Sequence, residues 1–321
     1  MITRKKSGKS FTYFHNDEKI TDSQQIDRIN KLAIPPAWSD VKIARSASAK
    51  IQASGRDAAG RQQSIYSPQF RIKQDAKKFE RILNFANALP KLREQVDSDL
   101  SKRGLHKQKV LACIVRLIDN EFFRVGSEQY AKEHGTYGIT TLRRKHTEIS
   151  KTTVTFDFTG KSGQHHTKKV SDPQIARIVR QLDELPGYEI FRYLDEHGNA
   201  HDIHSDDVNE YIKLHAGDEY SAKDFRTWGG TLLATSAILA DKLNHNESKT
   251  ARQKRITAIV KNVAKRLGNT PAVARSSYID PRVFASIDSP DTVREVQQAM
   301  TEMKPKKYMT VEEQCVLALL K

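Results

Sequence analysis

Cysteine is nearly absent from this 321-residue chain: Cys113 and Cys315 stand alone, each in an apolar, helix-patterned neighbourhood. Two such thiols suit reduced core positions better than a disulfide framework, and they leave redox chemistry without a motif. Long hydrophobic runs are absent as well. No stretch approaches the about twenty apolar residues that a membrane-spanning helix needs. Met1-Ile2-Thr3-Arg4-Lys5-Lys6 has no apolar segment behind its charges, so no signal peptide is expected and the chain reads as cytoplasmic. Acidic charge is also in short supply. Against 39 Asp+Glu stand 54 Lys+Arg, a net +15 with a sequence pI near 9.6. The basic residues are scattered along the chain, a balance that favours a polyanionic partner, nucleic acid first. The hydrophobic content of 37% suffices for a folded protein, and the length allows two domains.

The first of these, residues 1–76, reads as a small β-rich unit. Short segments such as Phe11-Thr12-Tyr13-Phe14 and Val41-Lys42-Ile43-Ala44 are divided by turn chemistry, and Ile26–Leu32 interrupts them as a helix that ends before Ile34-Pro35-Pro36-Ala37-Trp38. In Gly55-Arg56-Asp57-Ala58-Ala59-Gly60-Arg61-Gln62-Gln63-Ser64-Ile65-Tyr66 the glycines punctuate turns. Arg56, Arg61, Gln62, Gln63 and Tyr66 supply phosphate donors, amides able to read base edges, and an aromatic. A solvated polar loop would look the same.

From about Gln74 the texture changes to long helical periodicity, which places the domain boundary between Lys73 and Phe79 and makes 77–321 the second domain. Phe79, Ile82, Leu83 and Phe85-Ala86 mark one apolar face; Leu111, Ile114, Val115, Leu117 and Ile118 mark another. That second helix runs into Phe122-Phe123-Arg124-Val125-Gly126, which holds an arginine near the core. An internal pair with Glu121 or Glu128 would satisfy it, and so would a ligand's phosphate. Val154-Thr155-Phe156-Asp157-Phe158 alternates as a strand, and His165–Val170 returns as a second one, which puts Lys161 at a hairpin tip. Gly160-Lys161-Ser162 looks like the tail of a P-loop. Position 155 is Thr where the first glycine should stand, however, and the flanks are strand, turn, strand, so nucleotide triphosphate binding is rejected. The imidazoles and carboxylates of Asp195–His204 suit no standard metal spacing and read as a polar turn before a helix capped by Ser205. No metal site is expected.

Further on, Ser221 caps a helix that opens with Lys223-Asp224-Phe225-Arg226-Thr227-Trp228. Lys223 and Arg226 share a face near a helix N-terminus, where cations are unfavourable unless an anion joins them. Another helix runs from about Thr250 to Leu267. Gly268 stops it, Thr270-Pro271 reads as the N-cap and first position of a short helix, and Tyr278 ends that helix. Tyr130, Arg143 and Lys145 complete the candidate DNA contacts.

Arg124, Lys161, Lys223, Arg226, Asn269 and Tyr278 together are what attack on a phosphodiester by a protein hydroxyl requires. Two guanidiniums clamp the non-bridging oxygens, a lysine protonates the leaving 5′ oxygen, an amide donates one more hydrogen bond, and a tyrosine attacks.

These segments resemble the type IB DNA topoisomerases, in the short form found in bacteria and poxviruses. Phe122–Gly126 is similar to the motif of the first catalytic arginine, Gly160-Lys161 to that of the hairpin lysine, and Lys223–Thr227 to that of the second arginine. Gly268-Asn269-Thr270-Pro271, with Tyr278 nine residues after Asn269, is similar to the last two positions. Ile34–Trp38 and Gly60-Arg61-Gln62-Gln63 are similar to the small DNA-clamping domain. The resemblance implies an α+β protein, with a β-rich N-terminal domain and a larger, mainly helical catalytic domain carrying a β-hairpin sheet, forming a C-shaped clamp on double-stranded DNA. It implies a monomeric, chromosome-associated enzyme that nicks one strand, holds it through a 3′-phosphotyrosyl bond, lets the other end rotate and reseals, with no cofactor, ATP or metal. Two positions depart from the family pattern: Asn269 stands where a histidine is common, and Ser64 where a tyrosine is common, with Tyr66 matching a second one. The rival readings are a tyrosine recombinase or integrase, whose second-arginine motif is His-x-x-Arg where this chain has Lys223-x-x-Arg226, and a non-enzymatic basic DNA-binding protein.

Overall fold

The computed structural model describes residues 1–8, 10–241 and 248–320. The chain divides into two compact units, Met1–Glu80 and Arg81–Lys321. In the first, strands β1 (Ile2–Ser7), β2 (Ser10–His15) and β3 (Glu18–Lys19) precede helix α1 (Ser23–Lys31), and β4 (Ser39–Ile43), β5 (Ile51–Arg56) and β6 (Gln62–Tyr66) follow it. All six strands form one antiparallel sheet in the order β3-β2-β1-β4-β5-β6. Alternation turns Ile2, Val41, Ile43 and Ala53 to one face, where Ile29 of α1 seals them and Trp38, Ile34 and Ile65 pack at the margin. Arg4 holds the Ile34–Trp38 loop, donating to the carbonyls of Ile34 (3.2 Å), Pro35 (3.1 Å) and Trp38 (2.8 Å).

Two expectations for this unit change. Residues 55–66 form the β5–β6 hairpin: its turn, between Arg56 and Gln62, holds Gly60 at φ 73° as expected, but Gly55 lies inside β5, where a Cβ would meet the Ser39 carbonyl at 2.9 Å. Helical structure also begins earlier than Gln74. Helix α2 spans Pro68–Ser101, because Ser67-Pro68 is a start signal in its own right: the Ser67 hydroxyl accepts from Phe70 N at 3.2 Å. The polar composition of 71–78 hides this from apolar periodicity, and the two compact units meet inside α2 at Glu80/Arg81.

The second unit is mainly helical. Helix α3 (Lys107–Glu121) is buried nearly throughout, and α4 (Glu128–His134) follows it. Strands β7 (Thr147–Ile149), β8 (Thr153–Thr159) and β9 (His165–Ser171) form an antiparallel sheet, then come α5 (Pro173–Asp183), the hairpin β10 (Arg192–Leu194) and β11 (Ala200–Asp202), and α6 (Ser205–Ala216). The N-cap of α6 is His204 rather than Ser205, because Asp207 reaches back to the His204 N–H at 2.8 Å. Helices α7 (Ala222–Leu239), α8 (Lys249–Leu267), α9 (Pro271–Ser277), α10 (Pro281–Ala285), α11 (Pro290–Glu302) and α12 (Val311–Leu319) complete the chain. Both cysteines are buried and free. Among the described residues no helix is long and apolar enough to cross a membrane.

Helix α7 is the axis of this unit. Phe225 packs edge-on against Phe85 of α2 with centroids 5.0 Å apart. Trp228 donates its indole N–H to Glu313 of α12 at 3.1 Å. Glu313 also takes both terminal nitrogens of Arg93 (2.8 and 2.9 Å), whose guanidinium in turn binds Asp119 of α3. Burial alone would raise the Glu313 carboxyl, but Arg93, the Thr310 N–H and Trp228 outweigh it and hold it below its ordinary value. Glu313 is 2% exposed. Glu313→Ala leaves Arg93 and Trp228 without this acceptor and should destabilise the fold by about 3–5 kcal/mol, lowering the melting temperature by about 10 °C. Because the folded carboxyl is depressed, its contribution is present near neutrality and lost as pH falls through the folded value. The melting temperature of the wild type should therefore fall more steeply on acidification than that of Glu313→Gln; parallel curves would contradict this role.

Candidate active site

Three chain segments converge beside α7. The first is the end of α3, where Phe122 adopts the left-handed conformation (φ 56°, ψ 38°), a strain of about 1–3 kcal/mol for a non-glycine residue. This turn sends the Phe122 ring onto α7, where Gly229 leaves room: a Cβ there would lie 2.1 Å from the ring. It also aims Arg124 at the turn between α8 and α9. In that turn Gly268, at φ 60°, caps α8 and presents its carbonyl and Asn269. Thr270 caps α9, its hydroxyl accepting from Val273 N at 3.3 Å, and Pro271 occupies the first position, so the helix ends at Tyr278 as the sequence indicates. Gly230 of α7 makes the last contact possible, since a Cβ would stand 2.3 Å from the Tyr278 carbonyl oxygen.

Arg226 is 4% exposed. It donates to the carbonyls of Phe122 (2.5 Å) and Leu267 (2.8 Å) and to Asn269 Oδ1 (2.5 Å). Arg124 donates to the Gly268 carbonyl (2.8 Å) and to the same Asn269 Oδ1 (3.0 Å). Among the described residues neither arginine meets a carboxylate. The candidate internal partners of Arg124 are engaged elsewhere, Glu121 with Arg266 at 3.2 Å and Glu128 with His204 at 2.5 Å. Burial and then the neighbouring Arg226 push Arg124 down to about 10. Two guanidiniums held side by side without a counter-ion make a site for an anion.

The half-buried Tyr278 ring lies 5.1 Å from the Arg226 guanidinium carbon. Burial would raise its phenol, but Arg226, through charge and hydrogen bonding, followed by Arg124 and Lys223, brings it below the ordinary value. These cations thus stabilise the phenolate relative to that of an ordinary tyrosine. Arg124, Arg226, Asn269 and Tyr278 are therefore brought together. Among the described residues no hydrogen bond or ion pair joins Lys161 to them. It lies exposed on the short 3₁₀ turn Lys161–Gly163 between β8 and β9, the strand-turn-strand setting expected of it. Lys223 is exposed too, and the dipole argument for an anion at its helix start is met within the chain. Asp224 accepts from Ser221 N at 2.9 Å and pairs with Arg81 at 2.5 Å, supplying the negative charge itself.

Sequence reasoning missed two residues. Lys168 of β9 is half-buried, donates to the Glu121 carbonyl at 2.5 Å, and is pushed down to about 8, chiefly by burial. His166 lies on the same inward face. The signal was alternation: His166 and Lys168 share the face of the buried Val170.

The other candidates lie on the surface. In the β5–β6 hairpin, Asp57 gathers the donors: Arg61 Nε at 2.8 Å and Gln63 Nε2 at 2.9 Å, with Arg61 foremost in holding its carboxyl down to about 2. Arg56 donates to the Gly60 carbonyl at 2.9 Å, Gln62 is exposed, and Tyr66 packs on Phe70. In the second unit Tyr130 is 38% exposed, Arg143 lies over the Tyr137 ring at 5.5 Å, and Lys145 is exposed.

The fold and this cluster set two arginines, without carboxylate partners among the described residues, beside a phenol, and the relatives say which class of protein that is. Residues 67–307 match the catalytic core of eukaryotic DNA topoisomerase I, and residues 10–57 match the N-terminal domain of bacterial DNA topoisomerase IB. The chain is 36% identical over 286 residues to a DNA topoisomerase 1B of Acanthamoeba polyphaga mimivirus, covering 87% of this chain and 84% of that protein. It is 24% identical over 294 residues to the DNA topoisomerase 1B of vaccinia virus (strain Copenhagen), covering 88% of each. The chain belongs to the type IB DNA topoisomerase family, a family of isomerases.

The electrostatics of the site can be read without any substrate. Replacing Arg226 by Gln should move Tyr278 ionisation to higher pH, measured as tyrosinate absorbance after subtracting the matching Tyr278→Phe variant. An unmoved titration would show that Arg226 does not set the phenol.

Proposed function

We propose that the protein relaxes supercoiled double-stranded DNA by transient cleavage of one strand. The observation that carries this is the pair of guanidiniums, without carboxylate partners among the described residues, joined on Asn269 beside a phenol of lowered pKa. The scissile phosphate takes the place of the missing counter-ion. Arg124 and Arg226 bind its non-bridging oxygens with the N–H groups they do not spend on backbone carbonyls, a guanidinium having five. Asn269 turns Oδ1 to the arginines, which leaves its amide N–H₂ for the phosphate as charge develops.

The Tyr278 phenol gives up its proton to solvent, assisted by the charge of Arg226 and Arg124; its oxygen forms the bond to phosphorus and the bond to the 5′ oxygen breaks. Lys161, carried in on the β8–β9 hairpin, gives that oxygen its proton. The 3′-phosphotyrosyl ester conserves the bond energy, so rotation of the free end and reversal of the same step complete relaxation without ATP or a metal ion. The exposed cations and amides of the β5–β6 hairpin, with Tyr130, Arg143 and Lys145, add backbone contacts that make affinity fall steeply with salt.

The purified protein is expected to relax plasmid of either supercoil sign in EDTA without nucleotide. Tyr278→Phe should abolish relaxation while retaining DNA binding; relaxation by that variant would remove Tyr278 from the reaction. Lys161→Ala should slow cleavage, and a substrate with a 5′-bridging sulfur, whose thiolate leaves without protonation, should restore most of the rate. Without that rescue, Lys161 is a phosphate ligand and not the acid.

A further inference from the structure

His166 performs no chemical step in the proposed reaction, yet its ring occupies the space that a side chain on either of two glycines would need. A Cβ on Gly160 would lie 2.6 Å from His166 Cδ2 and 2.8 Å from Nε2; one on Gly268 would lie 2.0 Å from Cε1. Each of these glycines directly precedes a residue of the proposed site, Lys161 in one case and Asn269 in the other. Gly160 donates to the Gln164 carbonyl at 2.7 Å and so closes the hairpin, while the Gly268 carbonyl holds Arg124.

The third side of the ring meets Phe158 of β8, centroids 5.3 Å apart. His166 Nε2 is buried with no hydrogen-bond partner among the described residues. Burial, then Lys168 of β9, Arg124 after α3, Arg226 of α7 and the adjacent His165, depress the imidazole to about 4, so it stays uncharged at neutral pH. A ring that is uncharged and makes no hydrogen bond at its buried nitrogen acts through its shape.

We propose that His166 is a positioning residue, its ring spacing the hairpin that carries Lys161 from the Gly268-Asn269 turn and so fixing where the lysine stands relative to the arginine pair. Hairpin and turn belong to separate elements, β8–β9 and α8–α9, and this ring is wedged against both. Gly160 has an ordinary φ of −98°, so alanine there meets the ring but no backbone strain.

The test rests on the strand-cleavage reading for one of its readouts and is independent of it for the other. His166→Ala should slow single-turnover cleavage of a duplex by about ten- to a hundredfold through misplacement, with DNA affinity unchanged. His166→Phe, which keeps a flat ring without the nitrogens, should recover most of that loss. Gly160→Ala should slow cleavage in the wild type but add nothing in the His166→Ala background, the non-additivity of two groups competing for one space. Wild-type cleavage by His166→Ala, a Phe variant as slow as the Ala variant, or multiplying effects of Gly160→Ala and His166→Ala would each overturn the proposal. Should His166→Ala not fold, Gly160→Ala alone decides, since cleavage at the wild-type rate overturns it. The same double cycle read as melting temperature requires no catalysis. An inactive wild type would therefore refute the reaction, and additive melting shifts would refute the spacer.

Discussion

Two like charges held side by side, Arg226 buried and Arg124 half-buried, are the constraint on which the rest of the second unit depends. Arg124 and Arg226 repel each other, and the easy remedy, a carboxylate between them, would cancel the positive field the pair creates. The chain instead surrounds them with dipoles: the carbonyls of Phe122, Leu267 and Gly268 and the amide oxygen of Asn269. Dipoles fix the guanidiniums in place and leave their net charge available. Supplying three backbone carbonyls at one spot requires helix ends to meet there, which is why α3 and α8 both terminate at the site, and why Phe122 is held in the left-handed conformation.

Such an arrangement must be held by packing, because among the described residues no ion pair holds it. Helix α7 brings in Arg226 and, one turn on, offers Gly229 and Gly230 as the flat surface on which the Phe122 ring and the Tyr278 backbone lie. Thr231 continues the contact by accepting from Asp280 N at 3.1 Å, so the chain just past the tyrosine is fastened to the same helix that fixes the arginine. Just before these glycines, Trp228 and Phe225 anchor α7 through Glu313 and Phe85. The carboxylates excluded from the site reappear behind it, where Asp119 and Glu313 share Arg93. Ion pairs support the scaffold there while the cleft keeps its positive charge.

How much of this could be read from the chain depended on how local the physics was. The turn from Gly268 to Tyr278 was legible to the residue, because a left-handed glycine, a Thr cap and a Pro at the first helical position are all short-range signals. The hairpin of β8 and β9 was legible from alternation. What stayed hidden depends on partners distant in sequence. Lys168 looks like one more solvated lysine until the end of α3 covers it, and the left-handed Phe122 carries no glycine to announce it. Asp57, which takes up Arg61 and Gln63, lies inside a motif whose basic and amide residues drew the attention. Composition can count cations but cannot tell which are already spoken for.

Asn269 shows the same logic at the level of one atom. Where the family resemblance leads one to expect a histidine, an amide looks like a weaker donor with no charge to offer. Its oxygen, however, carries two lone pairs, and here it accepts from both arginines at once, at 2.5 and 3.0 Å. A neutral imidazole has one acceptor nitrogen with a single lone pair, and a charged imidazolium has none and would add a third positive charge to the pair. The amide therefore does two jobs that a histidine would have to divide. It ties the guanidiniums together through oxygen and leaves its two N–H donors for the phosphate proposed to bind there. With the arginines packed this tightly, the neutral residue is the one whose hydrogen-bonding capacity fits the position.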